Sequence, residues 1–234
     1  MKGLGRAVRG EWTKLRTVPG QLWTLPGLPL AMTALTVLIA AAARPEEEGT
    51  LDPTALSLSG VYLAQTVAVL VAVAVVSAEY PRVIRTTLAA NPRRGTVFAA
   101  KVLVVVAAVT AAALPAAVGS LFAGRRALSG YPRLPLDSGV LWRVTLGTAG
   151  YLLLVALLSA GVALIVRHAA AAVGTMCALL YGPYLATLII KMPEHALALV
   201  QKVSPMSAGL AVQKVTGAGT TPLSPGAGAA VLAG

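Results

Sequence analysis

Long apolar runs alternate with short charged connectors along this chain. Five runs contain no Asp, Glu, Lys or Arg: residues 21–43, 56–78, 102–124, 144–166 and 169–190. Each is 22 or 23 residues long. That is about 33 Å of α-helix at about 1.5 Å per residue, enough to cross a hydrocarbon core of about 30 Å. Helices of a soluble bundle keep a polar side toward water, and these runs have none. The pattern predicts an all-α, polytopic membrane protein. A sixth apolar run begins at residue 226, and the sequence stops at Gly234. We expect it to open a sixth span, cut short at residue 234, because five spans would leave the termini on opposite sides.

Ahead of the first run the period changes. In residues 4–18, LGRAVRGEWTKLRTV, Leu4, Val8, Trp12 and Leu15 fall within an arc of about 80° at helical spacing, with Arg6, Arg9, Thr13 and Arg16 opposite. This predicts an amphipathic helix over residues 1–20 lying in the membrane interface, with Trp12 at headgroup depth. Pro19-Gly20 should end it. Residues 21–234 then form one transmembrane domain. Glu11 breaks the pattern, since it falls in the middle of the apolar face. Two readings are open. It snorkels or pairs with Lys14, or this face packs on protein and Glu11 meets a base such as Arg85, Arg93 or Arg94.

The connector between the second and third runs reads EYPRVIRTTLAANPRRG, residues 79–95. Pro81 suits a first helical turn, and Glu79 puts negative charge at the positive pole of the helix. Val83, Ile84 and Leu88 supply apolar contacts, and Asn91-Pro92-Arg93-Arg94-Gly95 is a turn signal. A short helix over residues 81–90 is expected, with either a protein partner or anionic lipid against it.

Charge sets the orientation. The chain carries a net charge of +11, with 57% hydrophobic and 12% charged residues, against about 25% charged in soluble domains. The basic residues sit at the ends of apolar runs and form no nucleic-acid-binding patch. The amino-terminal side of the membrane holds eleven Lys and Arg against Glu11 and Glu79; the other side holds eight against six acidic residues. The positive-inside rule therefore makes the amino terminus cytoplasmic. Thirteen Arg to six Lys, with abundant Ala, Gly and Val, suggests a GC-rich bacterial genome and so a bacterial plasma membrane.

Catalytic chemistry finds little purchase. Cys177 is the single cysteine, and His168 and His195 are the only histidines, so no metal-ligand cluster is expected. No run holds an Asp or Glu, so nothing is visible that would couple transport to an ion gradient. No G-x-x-x-x-G-K-[ST] loop is present either. A membrane enzyme is disfavoured, because no paired carboxylates and no Ser/His/Asp grouping share a membrane depth. Tyr62, Gln65, Thr66, Tyr151, Tyr181, Tyr184 and Thr187 are the polar and aromatic span residues that could line a path. Gln65 in hydrocarbon needs a hydrogen-bond partner and acts as helix glue or as cavity lining. Gly182-Pro183 should kink the fifth span. Gly147, Gly150, Ala170 and Gly174 suit close helix contacts, and residues 191–225 should form short helices on, or re-entering, the outer face.

Several segments together resemble a known family. EWTKLRT (11–17), LAQ (63–65) fourteen residues before EY (79–80), and IRTTLAANPRRGTVFAAKVLVV (84–105) are similar to the permease subunits of type-2 ATP-binding-cassette exporters, particularly their actinobacterial branch. SPMSAGLAV (204–212) is a weaker match. The stronger matches cover residues 8–24 and 60–106, less than a third of the chain. The resemblance implies six spans, a dimer of permeases (two copies or a related pair), and a separate cytoplasmic ATPase chain that binds ATP and Mg, leaving this chain without a cofactor. It implies that the 81–90 helix is a coupling helix, with Glu79, Arg85, Thr86, Thr87 and Arg94 in ATPase docking and Glu11 holding that surface together. The expected function is export of an amphipathic small molecule, lipid or peptide by alternating access. A non-transporting membrane subunit, an immunity or assembly factor with the same docking surface, is the alternative. Two departures stand out. EYPRV is one residue shorter than the usual connector and lacks its glycine, and Val69 and Ala72 stand where glycines are common.

Overall fold

The computed structural model describes residues 2–43, 53–77, 94–128, 138–189, 200 and 204–206. Every element among them is a helix: α1 (Lys2–Thr17), α2 (Pro19–Ala42), α3 (Pro53–Leu56), α4 (Val61–Ser77), α5 (Arg94–Ala127), α6 (Ser138–Val166) and α7 (Ala169–Ile189). Five stretches are long and apolar enough to cross a membrane: Trp23–Ala42, Thr54–Ser77, Gly95–Ala127, Gly139–Val166 and Ala169–Thr187. The chain is therefore a polytopic, membrane-embedded helical protein. The third and fourth helices begin about two turns earlier than their uncharged runs. Lys101 and Arg143 interrupt the hydropathy but not the helix.

Local chemistry accounts for the joints. α1 and α2 are separated by a single residue, Val18, whose extended backbone (φ −86°, ψ 110°) turns the chain. Pro19 then takes the first turn of α2, where a missing N–H breaks no bond. Pro26 and Pro29 lie within α2, Pro115 within α5 and Pro183 within α7. α7 continues through Gly182-Pro183, from Ala169 to Ile189. A membrane helix tolerates proline because lipid offers the freed carbonyl nothing better than its own helix and neighbours. α6 and α7 are joined by two residues only. Arg167 stands in the left-handed region at φ 55°, and its N–H closes the helix end on Ala163 O at 3.0 Å. His168 follows, and its Nδ1 accepts from Ala171 N–H at 3.2 Å at the start of α7.

α4 is the central helix. It packs against α2, α5, α6 and α7, and most of its side chains are buried, Val61, Ala64, Gln65, Ala68, Val69, Val71, Ala72 and Val73 among them. Small β-branched and alanine side chains permit this close approach, and dispersion contacts rather than the hydrophobic effect hold helices together in lipid. α2 and α7 lie at the periphery with most of their surface exposed. Trp23, Leu30, Leu38, Ile165 and Ile189 present large apolar groups outward, as a lipid-facing surface does. The short helix expected over 81–90, the sixth run from 226 and all of 191–225 except 200 and 204–206 lie outside the described residues.

Candidate functional site

Three polar clusters punctuate the apolar bundle. The first lies where α1 packs on α5 beside Val75 of α4. α1 packs chiefly on α5 with Leu15 fully buried and Val8 against the core. Glu11 sits on this same face at 7% exposure. Its carboxylate is bracketed by two ammonium groups, Lys14 Nζ at 2.6 Å and Lys101 Nζ at 3.0 Å. Lys101 also donates to Val75 O at 3.2 Å. Its side chain is 9% exposed, whereas that of Lys14 is 43% exposed. Burial alone would raise the Glu11 carboxyl. The hydrogen bonds and charges of Lys14 and Lys101 outweigh it, so the group titrates below the ordinary carboxylate value. Glu11 thus stays ionised in a place where an unpaired carboxylate would be costly.

The second cluster lies deeper, ten residues from Val75 along α4, or about 15 Å at the helical rise. Tyr62, Gln65 and Thr66 occupy one turn of that helix. Tyr151 of α6 is 2% exposed and donates its hydroxyl to Gln65 Oε1. The Gln65 amide donates in turn to Met206 Sδ at 3.7 Å, and Met206 is itself buried. On the other side of the turn, Tyr181 of α7 donates to Tyr62 O. A hydroxyl has one proton, so Thr66 must be the donor in its 2.7 Å bond with Tyr181. Five of the seven polar span residues singled out from the sequence therefore form a pair, Gln65–Tyr151, and a trio, Tyr62–Tyr181–Thr66, around one turn of α4. Tyr184 and Thr187 lie further along α7, where Thr187 donates to Tyr184 O at 2.7 Å and Tyr184 is exposed.

The third cluster is at the opposite end. Gly60 N–H donates to Thr36 Oγ1 at 2.8 Å, Thr36 lies 2.6 Å from Ser120 Oγ, and Ser120 donates to Ser57 O at 3.1 Å. Because the Ser120 proton goes to Ser57, Thr36 must donate to Ser120. The result is a one-directional relay, wholly buried, that ties α2, α5 and the α3–α4 turn together. Two glycines make it possible. A Cβ at Gly60 would overlap the Met32 carbonyl, and one at Gly124 would stand 2.7 Å from Ser57 Cα and 2.8 Å from Thr36 Cγ2.

Several sequence expectations change here. The basic partner of Glu11 from another helix is Lys101. Arg85 and Arg93 lie outside the described residues, and so does the side chain of Arg94, whose backbone opens α5. Glu79, Thr86 and Thr87 also lie outside them. The close helix contacts are not at Gly150, Gly174 or Ala170: a Cβ at either glycine meets nothing within 4 Å, and Ala170 is exposed. Among the described residues, backbone of another segment abuts the position a Cβ would take at Gly60 and Gly124. Lys101 reads from the sequence only as a flank to the run that starts at Val102. No family model, curated protein or solved structure matches this chain.

Proposed function

We propose that this chain is the membrane-spanning subunit of an ATP-driven exporter, a type-2 ATP-binding-cassette permease with its amino terminus in the cytoplasm of a bacterial cell. The observation that carries the reading is the clamping of α1 onto the last turn of α4 and the early turns of α5 through Glu11 and Lys101. Those two helices are the legs of the basic connector at 78–93. α1 and the connector would together offer a soluble ATPase a surface braced against two spans. An interfacial helix held only by lipid would need no buried carboxylate on its protein-facing side.

In this reading a dimer of permeases, two copies or a related pair, binds two ATPase subunits, which hold the ATP and Mg. Closure of the ATPases moves the connector helix over residues 81–90, with Glu79, Arg85, Thr86, Thr87 and Arg94 at the contact. The spans rock between inward and outward openings. The substrate is an amphipathic small molecule, lipid or peptide, and it passes Tyr62, Gln65, Thr66, Tyr151, Tyr181, Tyr184 and Thr187. Two features support an uncharged path: these groups are neutral, and the Gln65–Tyr151 pair lies near mid-depth.

The test is reconstitution of the tagged chain with the ATPase that copurifies with it, followed by ATP-dependent uptake into inverted vesicles. The exporter reading expects transport that Glu79→Ala abolishes while ATP hydrolysis and assembly persist. A stable complex that hydrolyses ATP and moves no amphipathic probe identifies a non-transporting subunit instead. Unchanged transport by Glu79→Ala removes the connector from the mechanism.

A further inference from the structure

We infer that Lys101 is the positioning residue that makes α1 and both legs of the 78–93 connector one moving body. The inference rests on the exporter reading for its consequence, and on three atoms for its geometry, Lys101 Nζ, Val75 O and Glu11 Oε2. Lys101 Nζ donates to Val75 O of α4 at 3.2 Å. The same ammonium meets Glu11 of α1 at 3.0 Å. Lys101 itself belongs to α5, two turns in from Arg94.

One side chain therefore touches the helix entering the connector, the helix leaving it, and α1. Force applied to residues 78–93 enters α4 at its last turn and α5 at its first two turns. At that depth Glu11 and Lys101 are 8% and 9% exposed, so separating them would strand two charges away from water. The contact stays closed through a cycle, and α1 travels with the connector. Lys14 plays a lesser part. It holds the other carboxylate oxygen but is half in water, where an ion pair contributes little.

Charge and hydrogen-bond donation can be separated. Lys101→Arg keeps both contacts. Exchanging the partners, Glu11→Lys with Lys101→Glu, restores opposite charges between α1 and α5. A carboxylate at 101 cannot donate to the Val75 carbonyl, so α4 is released. Lys101→Met releases both. Spin labels on Thr13 of α1, Leu70 of α4 and Leu103 of α5, all exposed, report the three distances in the full chain with Cys177→Ser.

Narrow distance distributions are expected for the parent and for Lys101→Arg. All three should broaden in Lys101→Met. In the exchanged pair, Thr13–Leu103 should stay narrow while both distances to Leu70 broaden. In complex with the ATPase, the exchanged pair should move about tenfold less substrate per ATP hydrolysed at an unaltered KM for ATP, the effect of one lost hydrogen bond from a charged donor. Lys101→Arg should restore the ratio. An exchanged pair that transports at the parental ratio, or Leu70 distances indifferent to residue 101, overturns the inference. If the parent complex transports nothing, the exporter reading falls and the spin-label distances alone decide the clamp.

Discussion

At the α1 end of the bundle, three helices meet on one ammonium, Lys101. At the opposite end, nineteen residues and about 28 Å further along α5, α2, α5 and the α3–α4 turn meet on a relay of uncharged hydroxyls. The separation is close to the thickness of a hydrocarbon core. The far joint is closed to change. Its donors and acceptors are saturated in one direction, and its glycines admit no side chain. The near joint rests on ionised groups, Glu11 and Lys101 buried and Lys14 half in water, so acid can act on it through the Glu11 carboxyl.

The comparison can be broken most severely at Gly60. Gly60→Ala drives a methyl into the Met32 carbonyl, and backbone cannot yield as a side chain can. The cost should exceed the about 1–3 kcal/mol of ordinary overpacking and remove the monodisperse peak in size-exclusion chromatography. A normal peak would mean that the far end is looser than its geometry. Thr36→Val is the next largest. It strands the Gly60 N–H and takes the donor from Ser120, for about 1–3 kcal/mol, read as a lowered thermal midpoint in detergent. That loss should be the same at pH 7 and pH 4, because no group in the relay titrates.

Acid should separate the two ends. Glu11 titrates lower in the folded chain than its ordinary 4.5. Its contribution is therefore fully present above 4.5 and lost as pH falls through the depressed value. Thiol labelling of Leu15→Cys on α1, taken relative to a free thiol at the same pH because only the thiolate reacts, should accelerate as pH drops below 4.5, while that of Leu121→Cys, beside the relay, stays slow. Glu11→Gln should make the relative α1 rate independent of pH. Equal acceleration at both sites would show that acid opens the whole bundle. The smallest effect belongs to Arg167, a non-glycine residue at φ 55°. Arg167→Gly should stabilise the chain by about 1 kcal/mol, since glycine adopts that conformation without the steric cost, raising the thermal midpoint slightly.

The spans were legible because lipid imposes one requirement, apolar length, that a single sequence displays in full. The break at Pro19 was legible for a similar reason, since proline constrains its own backbone. Glu11 announced itself by standing on an apolar face. Its cross-helix partner stayed hidden, because Lys101 lies ninety residues away and reads as a flank to the run that starts at Val102. The glycines show the same limit. Spacing singled out Gly150 and Gly174, which have open space beside them, and missed Gly60 and Gly124, which do not. Which face of a helix meets its neighbour is a property of the assembled bundle. The Gln65–Tyr151 bond falls between these cases: an amide in hydrocarbon demands a partner, but only the packing of α4 on α6 says which.

The account stands most directly on where the connector faces and what covers it. A single cysteine at Arg85→Cys, in Cys177→Ser cells, can be probed with a membrane-impermeant maleimide. We predict no labelling in intact cells, labelling after permeabilisation, and protection when the ATPase is bound. Labelling of Arg85→Cys from outside intact cells would contradict the account.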